Sequence, residues 1–192
     1  MILSNRQILE AIEAGDIVID PFTHRDISAP PFNTTAVDLR LAATITIPRV
    51  LPAAQRLDRP YSAAYVNQNS DQRIATNDQP FALEPNRFVL AQTMERIALR
   101  MRPGRPTYAA RVEGKSSRAR LGMLIHFTAP TIHAGFDGPI ALEMINLSPN
   151  GILLVPGVHI CQLIFERVSD RPTTAPNQFS GQTDPAGAAA AR

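Results

Sequence analysis

One short motif, Glu113-Gly114-Lys115-Ser116-Ser117, combines residue types that bind phosphate groups. A glycine, a lysine and two hydroxyl side chains at a helix start offer free backbone N–H groups, the positive end of a helix dipole and a point charge. From the motif alone, a simpler reading is equally good, in which Ser116 or Ser117 caps the helix. Arg120 lies four residues after Ser116, so on a helix the two side chains share a face.

A second candidate is Glu143, a carboxylate in an otherwise apolar run from Ile140 to Ile145 that is predicted as a strand. A strand glutamate more commonly faces solvent. The alternative is a buried carboxylate with a partner, because an unpaired buried charge is costly. In that case burial and an arginine partner would set the pKa of Glu143 for general-base catalysis.

The elements that position these residues are predicted to be mainly strands. Ser4 and Gln7 form a capping-box pattern for a short N-terminal helix that Gly15 ends, and a second helix is predicted from Ser116 to Leu124. Alternating and β-branched runs predict strands; they are Ile17–Ile19, Ala36–Leu41, Thr44–Ile47, Phe88–Ala91, Tyr108–Val112, Ile140–Ile145, Ile152–Val155 and His159–Phe165. Residues 52–78 are polar and irregular, which indicates a long excursion or a weak hairpin. Many short strands separated by turns are typical of a sandwich or barrel.

Composition limits the class of protein. With 192 residues, 44% hydrophobic and 19% charged, the chain is predicted to form one globular domain over residues 1–182, followed by a mobile Ala/Gly-rich tail over 183–192. No apolar run reaches the roughly 20 residues of a membrane span, and no signal peptide is evident, so we expect a cytoplasmic protein without a membrane partner. A formal charge of +2 is too small to predict a nucleic-acid surface.

Cys161 is the one cysteine of the chain, which excludes an internal disulfide. A single thiol also cannot supply the paired cysteines of a common zinc half-site. Familiar cytidine deaminases activate water on zinc held by several Cys or His ligands. The cysteine count therefore excludes a zinc site built on paired cysteines.

The ordered set of motifs resembles the dCTP deaminase family across nearly the whole chain, most densely over residues 111–168. The matching segments are Ala36-Val37-Asp38-Leu39, Val112 to Ser117, Ala119-Arg120-Leu121-Gly122, His126, Thr128-Ala129, Gly135-Phe136, Leu142-Glu143, Pro156-Gly157, Ile160 to Leu163, and Gln178 to Gln182. The resemblance implies a dUTPase-like distorted β-barrel or jelly roll. It also implies a homotrimer with active sites between subunits.

The resemblance further implies zinc-free deamination of dCTP to dUTP and ammonia, with Mg²⁺ carried by the triphosphate. Glu143 would be the general base, while Ser116, Arg120 and the Ala129 carbonyl would hold the water and the carboxylate. The implied substrate-binding residues are Lys115, Ser117, His133, Phe136, Gln162, Phe179 and Gln182, of which Lys115, Ser117 and Gln162 would contact phosphate. Phe179 and Gln182 belong to the segment that closes over the nucleotide. His126 would have a supporting role near the base, and Asp38 either supports the site or makes a local turn or buried pair.

One position departs from the family pattern. His133 stands where the family more usually has an aspartate, in Ile-Asp-Pro-Gly or Ile-Asp-Ala-Gly. In dUTPases that aspartate helps activate the attacking water, and in deaminases it contacts the deoxyribose hydroxyl. The substitution therefore weakens two alternative functions, a dUTP pyrophosphatase and a bifunctional, dUMP-forming deaminase, more than it weakens deamination alone. A third alternative, a non-catalytic nucleotide-binding module, does not require Glu143, Ser116 and Arg120 together.

Overall fold

Strands dominate the computed structural model, which describes residues 1–56, 58–175 and 179–187. Three short helices are present in these ranges: α1 (Asn5–Glu13), α2 (Ala63–Gln68) and α3 (Ser116–Ala119). The strands are β1 (Ile17–Asp20), β2 (Val37–Arg40), β3 (Thr44–Pro48), β4 (Ser70–Ile74), β5 (Phe81–Leu83), β6 (Phe88–Leu99), β7 (Tyr108–Gly114), β8 (Met123–Ile125), β9 (Thr131–Ile132), β10 (Asp137–Asn146), β11 (Ile152–Leu154) and β12 (His159–Arg167). No helix in the described ranges is long and apolar enough to cross a bilayer.

Three antiparallel sheets carry the fold. The largest has the order β4-β3-β6-β10-β8, with β1 also paired to β6; the second has the order β2-β12-β7-β9, and the third pairs β11 with β5. A continuous apolar core, which includes Leu39, Leu142 and Phe165, lies between them. In the parts of the chain that the structure describes, no sheet closes into a barrel. The mainly β prediction is confirmed, and of the two predicted forms, distorted barrel or jelly roll, the open sheets exclude only a closed barrel among the described residues.

The N-terminal helix follows its sequence prediction. The Ser4 side chain accepts from the Gln7 backbone N–H, and the Gln7 side chain accepts from the Ser4 N–H at 3.0 Å, which completes the capping box. The helix ends at Glu13, and Gly15 follows with a φ of +69° that favours glycine. Ile8 and Ala11 face the core.

The helix that the sequence predicts from Ser116 to Leu124 corresponds to α3. It is shorter than predicted, because the chain turns sharply at Gly122. Only Ser116–Ala119 are helical, and Met123–Ile125 pair with β10 instead. Gly122 has a φ of +86°, and a Cβ there would lie 2.7 Å from the Ser148 backbone nitrogen. The predicted helix over Ser116–Leu124 is therefore wrong after its first turn.

β6 contains a wide bulge, and a buried side chain in this bulge links the largest sheet to the second sheet. Three residues, Thr93 to Glu95, lie between the partners of Pro139 and Ala141, where β10 has one residue. The Thr93 hydroxyl accepts from the Ile140 N–H at 2.9 Å. Glu95 is almost fully buried and binds Arg40 of β2, whose backbone N–H and Nε donate to its carboxylate at 2.8 and 2.6 Å.

Candidate active site

The alternation of β10 places Glu143 on the face opposite the core residues Leu142 and Met144. Its side chain is 28% exposed and lines a cavity of about 670 Å³. Neighbouring β8 positions the next element of the site, because the chain leaves this strand at His126. Glu143 is thus neither a solvated strand carboxylate nor a core residue, but a half-buried group in a cavity wall.

His126 contacts both of the acceptors that the sequence assigns to catalysis. Its Nδ1 lies 2.9 Å from Glu143 Oε2, and its Nε2 lies 2.7 Å from the Ala129 carbonyl oxygen. The His126 backbone N–H also donates to the Glu143 carbonyl at 2.7 Å. A φ of +55°, uncommon outside glycine, turns the chain so that the ring can reach both groups. Within the chain the partner of Glu143 is therefore His126, and the arginine partner that the sequence predicts stays a prediction.

This geometry places one proton between His126 and Glu143. A carbonyl oxygen accepts only, so Nε2 carries hydrogen, and the remaining proton lies on either Nδ1 or Oε2. Both of those atoms are buried, and neither has another hydrogen-bond partner among the described residues. Burial alone lowers the pKa of His126, but the Glu143 carboxylate outweighs it and the net pKa is raised. Burial raises the pKa of Glu143, and His126 reverses this, so the net pKa is lowered.

The pair predicts a pH-dependent stability. A raised histidine pKa stabilises the fold fully below the ordinary value of 6.5 and less as pH rises through the folded pKa. A lowered glutamate pKa stabilises it above the ordinary value of 4.5. Between pH 4.5 and pH 6.5 we therefore expect wild type to unfold at a higher temperature than Glu143→Gln. This difference in unfolding temperature should shrink as pH rises further. A Glu10→Gln control should follow wild type throughout, and a difference that grows toward alkaline pH would contradict the pairing.

The cavity brings together about half of the residues that the sequence assigns to the site. They are Ala129, His133, Phe136, Glu143, Phe179 and Gln182. Phe136 is buried, and Gln182 donates to the Pro139 carbonyl of β10 at 2.6 Å. Gly138 permits this close approach, because its φ is +151° and a Cβ would lie 3.1 Å from the Gln182 carbonyl oxygen. His133 is exposed, and its carbonyl accepts from the Phe136 N–H at 3.1 Å.

The other predicted residues form a second group on the β2-β12-β7-β9 sheet and α3. They are Lys115, Ser116, Ser117, Arg120 and Gln162, and they do not line the cavity. Ser116, Ser117 and Arg120 are exposed. Gln162 pairs in register with Glu113 and donates weakly to the Gly114 carbonyl at 3.4 Å. The group is accessible from solvent and separate from Glu143 within one chain.

Two local contacts decide alternatives that the sequence left open. Lys115 occupies the N-cap position of α3 and no side chain caps it, so neither serine acts as the helix cap. Asp38 is 8% exposed; it forms an ion pair with Lys115 and accepts from Asn33 Nδ2 at 2.9 Å. The buried pair is thus the observed role of Asp38, and it holds Lys115 beside Gln162, which lies opposite Asp38 in the sheet.

Comparison with known proteins identifies the family of the chain. A family model described as dCTP deaminase-like matches residues 2–168. The chain belongs to the dCTP deaminase-like family. Among dCTP deaminase relatives, a protein named "dCTP deaminase, dUMP-forming" from Methanosphaera stadtmanae is 33% identical, covering 96% of this chain and 91% of its own. One named "dCTP deaminase" from Haloarcula marismortui is 34% identical, covering 96% and 92%.

A solved dCTP deaminase structure has the same fold. The 2′-deoxycytidine 5′-triphosphate deaminase from Agrobacterium tumefaciens superposes with a TM-score of 0.61 at 22% identity, covering 88% of this chain. The present chain spans 48% of that protein's length. The likeness confirms the fold class, and the family match confirms the family that the motifs resemble.

The sequence missed part of the cavity that Glu143 lines. His126 was assigned only a supporting role near the base, although it contacts Glu143 directly. Tyr61 and Tyr65 also line the cavity. They belong to residues 52–78, the polar and irregular stretch of the sequence. A tyrosine pair in an irregular loop carries no signal that distinguishes a cavity wall from an exposed turn, so these residues could not be found in advance.

Proposed function

We propose that the chain is a dCTP deaminase that converts dCTP and water to dUTP and ammonia. The observation that carries this proposal is the Glu143 carboxylate, half-buried in a cavity large enough for a nucleotide and paired with His126. A carboxylate with a lowered pKa is ionised at neutral pH and can accept a proton. The names of the relatives support dCTP as the substrate.

In the proposed reaction Glu143 accepts a proton from water as the oxygen attacks C4 of cytosine. The proton passes to N3, which gives a tetrahedral intermediate. Glu143 then transfers the hydroxyl proton to the exocyclic amine, the C4–N bond breaks, and ammonia leaves. The Ala129 carbonyl has a second lone pair beside the one that faces His126, so it can still accept from the water.

We propose that each site is completed by a second copy of the chain, within a homotrimer. Ser116 and Arg120 are needed beside the water and Glu143, yet they lie outside the cavity of their own chain. Their exposure leaves them free to enter the cavity of a neighbour. Lys115, Ser117 and Gln162 would then contact the phosphates of the nucleotide bound there, which is the family arrangement.

The reaction is proposed to use no protein-bound zinc, with Mg²⁺ bound to the triphosphate. Cys161 is fully buried in the core, and burial raises the pKa of its thiol, so it cannot supply a thiolate to the cavity. Carboxylate, carbonyl and hydroxyl groups would activate water in place of a metal. Magnesium prefers phosphate oxygens with few protein ligands, so it would enter with the substrate.

The product is the point on which the relatives divide, because some are named dUMP-forming and others are not. His133 lines the cavity at the position that more usually holds an aspartate in the family, and it lacks the carboxylate that would activate a second water. An imidazole can still hydrogen-bond a 3′-hydroxyl. This residue favours dUTP as the product, with dUMP as the alternative.

Incubation with dCTP and, separately, with dUTP tests both readings. We expect ammonia from dCTP in a 1:1 ratio to dUTP and no pyrophosphate from either substrate. Ammonia and pyrophosphate are assayed independently, so the two activities are distinguished in one experiment. Pyrophosphate together with ammonia would replace the monofunctional proposal with the bifunctional one, and pyrophosphate from dUTP without ammonia from dCTP would favour a dUTP pyrophosphatase. An absence of ammonia with retained dCTP binding would favour a non-catalytic binding module.

A further inference from the structure

Two segments distant in sequence meet over the cavity of Glu143. The first, here called the strap, is residues 61–69, which include α2; the second, the tail segment, is residues 179–187. Both line the cavity: the strap contributes Tyr61, Tyr65, Val66 and Asn69, and the tail segment contributes Phe179, Gln182, Pro185, Ala186 and Gly187. Separation of the two would therefore remove a wall of the site.

Specific contacts join the strap to the tail segment. The Tyr61 hydroxyl donates to the Ala186 carbonyl at 2.6 Å, and the Tyr61 ring packs edge-on against Phe179 with 5.4 Å between centroids. Asn67 Nδ2 donates to the Asp184 carboxylate at 2.9 Å. As a result Ala186 is 1% exposed, although it lies in the predicted mobile tail. The predicted mobility of residues 183–187 stays a prediction, and residues 188–192 lie outside the described residues.

The strap is held independently of the tail segment. Ser62 caps α2, since its hydroxyl accepts from the Tyr65 N–H at 3.2 Å. At the other end the Arg49 backbone N–H donates to the Asn69 carbonyl at 3.0 Å, and the Arg49 guanidinium donates to the Gln68 carbonyl. β4 then continues directly into the large sheet. The strap can therefore act as a fixed surface against which the tail segment closes.

We propose that Tyr61 and Asn67 are positioning residues that hold the tail segment closed over the bound nucleotide. This inference rests on the proposed deaminase function. Closure would exclude bulk water from the reaction at Glu143 and keep Phe179 and Gln182 in the cavity wall. Since the tail segment also binds β10 through the Gly181 N–H to the Asp137 carbonyl at 2.5 Å, loss of the strap contacts should weaken closure while leaving the fold intact.

Two tyrosines of the strap provide a matched comparison. Tyr61 and Tyr65 are 48% and 46% exposed and both line the cavity, but only the Tyr61 hydroxyl binds the tail segment among the described contacts. Tyr61→Phe should accelerate backbone hydrogen exchange of residues 179–187 by roughly fivefold, the effect of one lost hydrogen bond. Tyr65→Phe should leave that exchange unchanged.

The Asn67–Asp184 contact allows a test by exchange of partners. Asn67→Asp places two carboxylates together and should accelerate tail-segment exchange roughly tenfold and raise KM for dCTP more than it lowers kcat. Adding Asp184→Asn restores a carboxylate–amide pair with reversed roles, so the double variant should return to within about twofold of wild type. Non-specific damage would not be rescued in this way.

The outcomes separate this inference from the proposed function. Exchange is measured on the full chain without nucleotide, so it does not depend on which reaction the protein catalyses. Faster exchange in Tyr61→Phe and Asn67→Asp, with rescue in the double variant, supports the closing contacts. Exchange indistinguishable from wild type in both single variants would overturn them. Failure of the deaminase proposal would instead show as an absence of ammonia from wild type.

Discussion

Replacement of Glu143 by glutamine is expected to abolish ammonia release from dCTP, with kcat lowered roughly 10²–10⁴-fold, the range for loss of a general base. The amide preserves the shape of the side chain and can still accept a hydrogen bond, but it cannot take a proton from water. Binding of dCTP should change little, because Glu143 is one of many groups that line the cavity. Steady-state ammonia assays and equilibrium binding of dCTP measure the two quantities separately.

The control is Glu10→Gln, the same chemical change at an exposed position of α1. It should retain the wild-type kcat and the wild-type affinity for dCTP. That result would exclude the loss of one negative charge as a general cause of inactivity. Equal activity in Glu143→Gln and wild type would exclude Glu143 as the base. A parallel loss of activity and dCTP binding would show that Glu143 holds the substrate and would leave its proton-accepting role unsupported.

Mixing two inactive variants is expected to restore activity. If Glu143 of one copy acts with Arg120 of the next, a randomly reassembled trimer of Glu143→Gln and Arg120→Ala chains contains intact sites at one interface in four. Activity should therefore recover to about a quarter of wild type, since each closed interface combines unlike surfaces of two copies. The variants are unfolded together, refolded and assayed against dCTP.

A second mixture provides the control. Ser116→Ala and Arg120→Ala change the same surface of the chain, so every interface in their mixture retains at least one defect. This mixture should show no gain over the average of its two components. If Glu143→Gln and Arg120→Ala also fail to complement after confirmed reassembly, the proposed site between copies is wrong.

The sequence predicted the elements that depend on local pattern. The capping box of Ser4 and Gln7 defines α1, and the alternation of Ile140 to Ile145 defines the part of β10 that carries Glu143. The end of α3 depends on a non-local contact, the approach of Gly122 to Ser148, which no window of sequence reveals. Likewise β6 extends to Leu99, well beyond the predicted end at Ala91, because its partners β1 and β10 supply hydrogen bonds along its length.

The candidate site was predictable through the ordered set of motifs and not through single residues. Residue type alone favours a solvent-facing Glu143 and leaves a helix cap equally good for Ser116 or Ser117, so the resemblance to the dCTP deaminase family selected these residues. The partner of Glu143 could not be selected, since His126 reaches it through an unusual backbone turn and not through a sequence interval. Tyr61 and Asn67 required the folded chain, because they meet residues more than a hundred positions away.

The irregularity of β6 also determines how far the strands can slip. A strand repeats every two residues, so a slide of β10 by two positions would keep its core face inward and cost little in an even ladder. Here such a slide would break the Ile140 bond to Thr93 and misalign the wide segment that presents Glu95 to Arg40. Glu143 is thereby fixed opposite Leu90. Substitutions elsewhere can accumulate without shifting the carboxylate along the cavity, which is consistent with relatives that share only about a third of their residues with this chain.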